Sequence, residues 1–138
     1  MVLTKKHRAY FKAAKAVSEL SDFNKVHIGA VAVCNHRIIS SACNSLKTNP
    51  LQKRYNKYRF TADEGKHTLH AEVACLLPLI SQDIDFNRVS LYIYRQHKNG
   101  NPALAKPCPS CMALIRDLGI KNIYYTGNNS FVQEDLVY

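Results

Sequence analysis

The sequence predicts an α/β fold, because short strand-like stretches alternate along it with segments of helical periodicity. A tight hairpin between two early strands adds an antiparallel edge to that pattern. Residues 4–20 open the chain as a helix, with Ala13, Ala14, Val17 and Leu20 at helical spacing and lysines on the opposite side. Residues 26–34 read as a mostly apolar strand and residues 37–43 as its partner. Asn35 and His36 between them suit a two-residue turn, since Asn tolerates positive φ.

Residues 44–68 are polar, basic and aromatic, and read as one long loop of the kind that is usually functional or disordered. Residues 70–80 follow as a buried helix and residues 88–94 as a strand, before a Gly- and Pro-containing loop, QHKNGNPALAK. Residues 108–118 place Met112, Ile115 and Leu118 on one helical face, and Gly119 suits the position just past the helix end. Residues 120–126 are another strand. Residues 130–138 fit either a short strand or a tail.

At 138 residues, 46% of them apolar and 21% charged, the chain is expected to form one domain over residues 1–138. There is no internal repeat or low-complexity tract to divide it. No apolar run approaches the roughly 20 residues of a membrane span, and the charged amino terminus lacks the apolar block of a signal peptide. Membrane partners are therefore not expected, and a cytoplasmic location is. Without a secretory signal, the odd count of five cysteines argues against a disulfide framework. Cys34, Cys43 and Cys75 sit in apolar stretches and read as small buried residues. The net charge of +9 favours an anionic partner, although a merely basic soluble protein gives the same sum.

The residues that carry chemistry are His70-Ala71-Glu72 and, after an intervening strand, Pro107-Cys108-Pro109-Ser110-Cys111. Cys-x-x-Cys lets two thiolates reach one cation from a single turn of chain, and His70 can complete a three-ligand zinc site. Three protein ligands leave a fourth position for water, as a catalytic site requires. Cys108 at a helix start would have its thiolate favoured by the helix dipole, and prolines are tolerated there. Glu72 is the natural proton carrier beside such a site. Residues two apart on a helix point about 200° apart, so His70 and Glu72 can share a site only at a helix's first turn.

Two other readings of the same residues stay open. Cys-x-x-Cys also occurs in thiol redox pairs. A structural zinc in a non-catalytic nucleic-acid-binding protein would need a fourth ligand, for which His67 is available.

In this order the motifs resemble the cytidine deaminase superfamily, whose H-x-E…P-C-x-x-C signature is met without a gap. The resemblance covers most of the chain and implies a three-layer α-β-α sandwich around a mixed, mostly five-stranded sheet. It implies one Zn2+ per chain held by His70, Cys108 and Cys111, with Glu72 as proton shuttle. It also implies that the His27-Ile28-Gly29-Ala30 segment belongs to the base-pocket strand, with His27, Gly29 and Ala30 as substrate contacts. Asn44 corresponds to a sugar-binding asparagine, and the Ala71 backbone faces the base. Homo-oligomers occur in several such families.

One departure bears on the substrate. The deoxycytidylate, tRNA-adenosine and nucleic-acid-editing branches carry a further helix and strand after the fourth strand. Only about a dozen residues follow Thr126 here, so that end is either trimmed or returns as an antiparallel strand, as in free-nucleoside deaminases. The motif surroundings look more like deoxycytidylate deaminases than tRNA editors. The expected reaction is hydrolysis of cytosine to uracil on a (deoxy)cytidine nucleotide such as dCMP, or alternatively on single-stranded DNA or RNA. Lys53, Arg54, Lys57 and Arg59 interleave with aromatic residues between Asn44 and His70, where they could meet phosphate while rings stack on bases. A second basic cluster, Lys5, Lys6, Arg8, Lys12 and Lys15, reads instead as a solvated helix face.

Overall fold

The structure is a computed structural model that describes residues 2–23, 26–46, 49–55 and 69–136. Helix α1, Lys5–Ser18, starts at a reciprocal cap. Thr4 Oγ1 accepts from the His7 N–H at 3.2 Å, and His7 Nδ1 accepts from the Thr4 N–H at 3.2 Å. Strands β1, Ile28–Cys34, and β2, Arg37–Cys43, form the expected hairpin. Its two turn residues, Asn35 (φ 52°) and His36 (φ 65°), both take the positive-φ conformation of a type I′ turn.

Residues 44–55 depart from the expected continuous loop. Ser45 and Leu69 exchange backbone hydrogen bonds of 2.9 and 3.1 Å, and helix α2, Pro50–Tyr55, forms between them. Asn49 starts α2, with its Oδ1 accepting from the Leu51 N–H and its carbonyl from the Lys53 N–H, and Pro50 needs no N–H at the first turn.

Helix α3, Ala71–Ile80, leads through a 3-10 turn to strand β3, Val89–Arg95. Helix α4, Pro109–Leu118, ends at Gly119 in the left-handed conformation (φ 92°) that glycine adopts without penalty. Strand β4, Asn122–Gly127, begins two residues later than the sequence pattern suggests, because the Ile120 N–H still serves the helix by bonding the Ile115 carbonyl. The ambiguous tail becomes strand β5, Ser130–Asp135.

The five strands order β2-β1-β3-β4-β5. Only β3 and β4 run parallel, joined by the crossover through α4; every other neighbouring pair is antiparallel, including β4 with β5. This is the mixed sheet with helices expected of the fold class. Central β1 is buried on both faces, and the period-two alternation of its side chains serves two cores. Val31 and Val33, with Tyr92 and Tyr94 of β3, pack against Phe11 and Ala14 of α1. Ala30 and Ala32, with Leu91 and Ile93, pack in the cluster that holds Leu76 and Leu79 of α3 and Leu114 and Ile115 of α4. Cys75 is buried, as expected of a small core residue; Cys34 and Cys43 are half-buried. No helix among the described residues is long and apolar enough to cross a membrane.

Gly29 is where α1 comes closest to the sheet. A β-carbon there would overlap the Ala14 carbonyl oxygen and lie 2.7 Å from the Ser18 nitrogen, both backbone atoms. Gly29→Ala should therefore force α1 off the sheet and cost roughly 1–3 kcal/mol or more, as overpacked cores do. Thermal melting checks this, and an unchanged midpoint would show that α1 is not held as described.

Candidate active site

Two helix starts converge at the side chains of His70, Cys108 and Cys111. His70 is the N-cap residue of α3, extended at φ −78° and ψ 151°, so its ring lies outside the helix while Glu72 sits in the first turn. That break in helical geometry lets residues two apart serve one site. Cys108 is likewise the N-cap of α4, with Pro109 next and Cys111 in the first turn. Both helices turn their positive dipole ends to the same spot, and the Cys111 N–H helps to stabilise the Cys108 thiolate.

The donor atoms of His70, Cys108 and Cys111 all lie within 4.8 Å of one another. His70 Nδ1 is 3.2 Å from Cys111 Sγ and 3.5 Å from Cys108 Sγ. Zinc bonds of about 2.0–2.3 Å in a tetrahedron put donors about 3.5–3.8 Å apart, so the spacing and the mixed nitrogen–sulfur donor set both fit zinc.

Cys108 is held well below the usual thiol range, first by hydrogen bonding from Cys111 and then from His70 and Ser110. Cys111, fully buried, is pushed up by its bond to Cys108 and by desolvation. Zinc binding requires both sulfurs as thiolates, so it would displace the Cys111 proton. Glu72 is only 5% exposed. Burial pushes its carboxyl up; His70 partly opposes this, and Cys108 adds to it. The neighbouring Cys111 side chain also works against that rise. A buried carboxyl raised in this way holds a proton more readily than an exposed one, as a group that both takes and returns protons requires.

Two residues that the sequence did not single out support the ligands. Gln52 of α2 is fully buried, and its Oε1 accepts from the His70 N–H at 3.1 Å. Tyr55, on the same helix, donates to Asp117 Oδ2 of α4 at 2.7 Å, so α2 ties the two ligand-bearing helices together. Ser110, also fully buried, places its hydroxyl 3.1 Å from Cys108 Sγ. A polar residue lying between two ligands was a visible signal for Ser110. Nothing local marked Gln52. Gln52→Leu should leave the His70 N–H without that acceptor and lower activity or metal affinity about 10–100-fold. Wild-type values for both would reduce Gln52 to a packing residue.

The substrate-contact candidates are spread over both faces of the sheet. Ala71 is buried at the start of α3, and Ala30 belongs to the core cluster on the same side. Gly29 faces α1 instead, and His27 is exposed in a cleft with Ser18, Arg95 and Lys98. Asn44, 7% exposed, uses its side chain to tie down the approach to β1. Its Oδ1 accepts from the Ile28 N–H at 3.0 Å, and its Nδ2 donates to the Val26 carbonyl at 2.8 Å. Lys53 and Arg54 are exposed on α2. Lys57, Arg59 and the alternative ligand His67 lie outside the described residues.

The chain matches the family model of the cytidine and deoxycytidylate deaminase zinc-binding region over residues 4–127. No curated protein matches it significantly. Among solved structures it is similar to dCMP deaminase from the cyanophage S-TIM5 in apo form, with a TM-score of 0.64 and 24% identity over 91% of this chain and 84% of that one. The cyanophage enzyme is also solved in complex with dCMP and dUMP. Cytidine deaminase from Burkholderia pseudomallei is similar as well, with a TM-score of 0.64 and 19% identity over 96% of this chain and 93% of that one. At these identities the structural likenesses speak for the fold.

Proposed function

This chain belongs to the cytidine and deoxycytidylate deaminase zinc-binding family, and from that premise we propose that it hydrolyses cytosine to uracil on a small (deoxy)cytidine nucleotide such as dCMP. The observation that carries the proposal is the buried Glu72 carboxyl in the same pocket as the His70, Cys108 and Cys111 donors. Bound zinc supplies the Lewis acidity that makes water a nucleophile at neutral pH. His70, Cys108 and Cys111 are its ligands. Glu72 takes one proton of the attacking water and passes it to the ring nitrogen beside C4, then takes the proton of the new C4 hydroxyl and delivers it to the departing amine, so that the C4 carbonyl forms and ammonia leaves. The Ala71 backbone and Ala30 border the base.

Lys53 and Arg54 support a phosphorylated carrier. They follow Gln52, whose bond to the His70 N–H holds α2 against the site, and both are exposed to solvent. A second reading, a free nucleoside, is favoured by the antiparallel return of β5 on β4. Comparing kcat/KM for dCMP and deoxycytidine, before and after Lys53→Ala with Arg54→Ala, separates the two. The nucleotide reading expects dCMP to be preferred and that preference to collapse, by about tenfold or more, in the double variant. Equal efficiency on both substrates, unmoved by the substitutions, would leave the nucleoside reading standing.

A further inference from the structure

A second cleft, of about 390 Å3, opens on the opposite face of the sheet from the His70–Cys108–Cys111 cluster. It lies against α1, where β1 ends and β3 begins. Its cationic or ionisable lining consists of Lys6, His7, His36 and Arg88, and among the described residues lining it there is no carboxylate. Its size falls within the range of ligand pockets, about 300–1,000 Å3.

One wall is aromatic. Tyr92 and Tyr124 stack with centroids 4.3 Å apart and planes 2° from parallel. Tyr10 lies 5.0 Å from Tyr92, and His7 5.1 Å from Tyr124. Tyr92 is nearly covered, whereas Tyr10, Tyr124 and His7 are half-buried and keep ring surface in the cleft.

The other wall carries the nitrogen-bearing side chains Lys6, His36 and Arg88. Lys6 Nζ sits 3.1 Å from His36 Nδ1, and the Tyr10 hydroxyl donates to the His36 carbonyl at 3.0 Å, so the hairpin tip is fastened to α1. The positive φ of Asn35 and His36 sets the direction of that tip. His7 Nδ1 accepts from the Thr4 N–H, which leaves Nε2 as the protonated ring nitrogen. Among the described residues, the Arg88 guanidinium has an exposed contact to Asp85, 3.8 Å from its Nε, and its planar fork of donors matches a phosphate.

We propose that this cleft binds a nucleoside phosphate, with Lys6, His36 and Arg88 on the phosphate and Tyr10 and Tyr124 against the ring. Three nitrogen-bearing side chains lining one cleft of about 390 Å3 suit a single phosphoryl group, whereas a nucleic-acid strand would need cations strung along a track. Lys6, exposed on α1 as the sequence pattern expects, also lines this cleft. The proposal does not rest on the deaminase reading.

Calorimetric titration of the zinc-loaded protein with ATP, tripolyphosphate and single-stranded oligo-dT tests it. Lys6 and Arg88 stand apart from the His70, Cys108 and Cys111 cluster, so variants at these two separate binding here from binding there. ATP should saturate at one equivalent. Lys6→Ala with Arg88→Ala should weaken it about tenfold or more, as loss of charge-assisted hydrogen bonds does, while Lys6→Arg retains binding. Tyr124→Leu should weaken ATP but spare tripolyphosphate. Thermal melts near wild type establish that the variants are folded. Absence of ATP binding, or ATP affinity untouched in the folded double variant, overturns the proposal. So does a charge dependence seen for oligo-dT alone.

Discussion

Replacing Glu72 with glutamine is expected to leave a folded, zinc-loaded protein whose deaminase turnover falls at least about 10²–10⁴-fold, the usual contribution of a general acid–base group. Glu72 is buried in the first turn of α3 beside the ligand donors, yet no metal-ligand role falls to it in the His70, Cys108 and Cys111 set. Glutamine preserves its shape and hydrogen-bonding capacity but cannot carry a proton between water, ring nitrogen and amine. Steady-state ammonia release, read alongside zinc content, separates catalysis from folding. Near-normal turnover in Glu72→Gln would move the proton shuttle to another residue. Loss of zinc along with activity would make Glu72 part of the metal site instead.

The second large effect concerns the metal. Cys108→Ser and Cys111→Ser should each reduce bound zinc from about one equivalent to a small fraction, because both sulfurs lie within 4.8 Å of His70 Nδ1 and belong to one donor set. The loss should also appear in stability. A cation that binds only the folded chain at a few hundred times its Kd contributes about 3–4 kcal/mol, or a melting shift of roughly 10 °C for a chain of this size. Chelation of the parent protein should reproduce the shift, and neither cysteine variant should then respond to chelator. Full zinc occupancy in the double variant would contradict the assignment outright.

What could be read from the sequence was whatever is encoded locally. The Asn35-His36 turn and the Gly119 helix end each follow from two or three neighbouring residues, and the structure forms both. The same holds for the Cys-x-x-Cys turn at the start of α4. Long-range relations were less legible. Asn49-Pro50 is a local start signal for α2, but a six-residue helix inside a basic, aromatic stretch has little periodicity to display. Gln52 is fully buried only because α2 folds back onto the start of α3, and nothing in its neighbours announces that.

Gly29 and Ala30 illustrate the limit of reading a motif as a unit. Strand alternation sends one to α1 and the other to the core beneath α3. Residues 130–138 carried a strand-like composition, yet the direction of their return depends on which edge of β4 is open, which is a property of the assembled sheet.

The most direct test of the central claim is to incubate the zinc-loaded protein with dCMP in oxygen-18-labelled water and analyse the product by mass spectrometry. The account expects dUMP carrying the label at the uracil 4-oxygen, ammonia released in equal amount, and neither product from Glu72→Gln. Intact cytosine on dCMP and deoxycytidine alike, from protein shown to hold one equivalent of zinc, would contradict it.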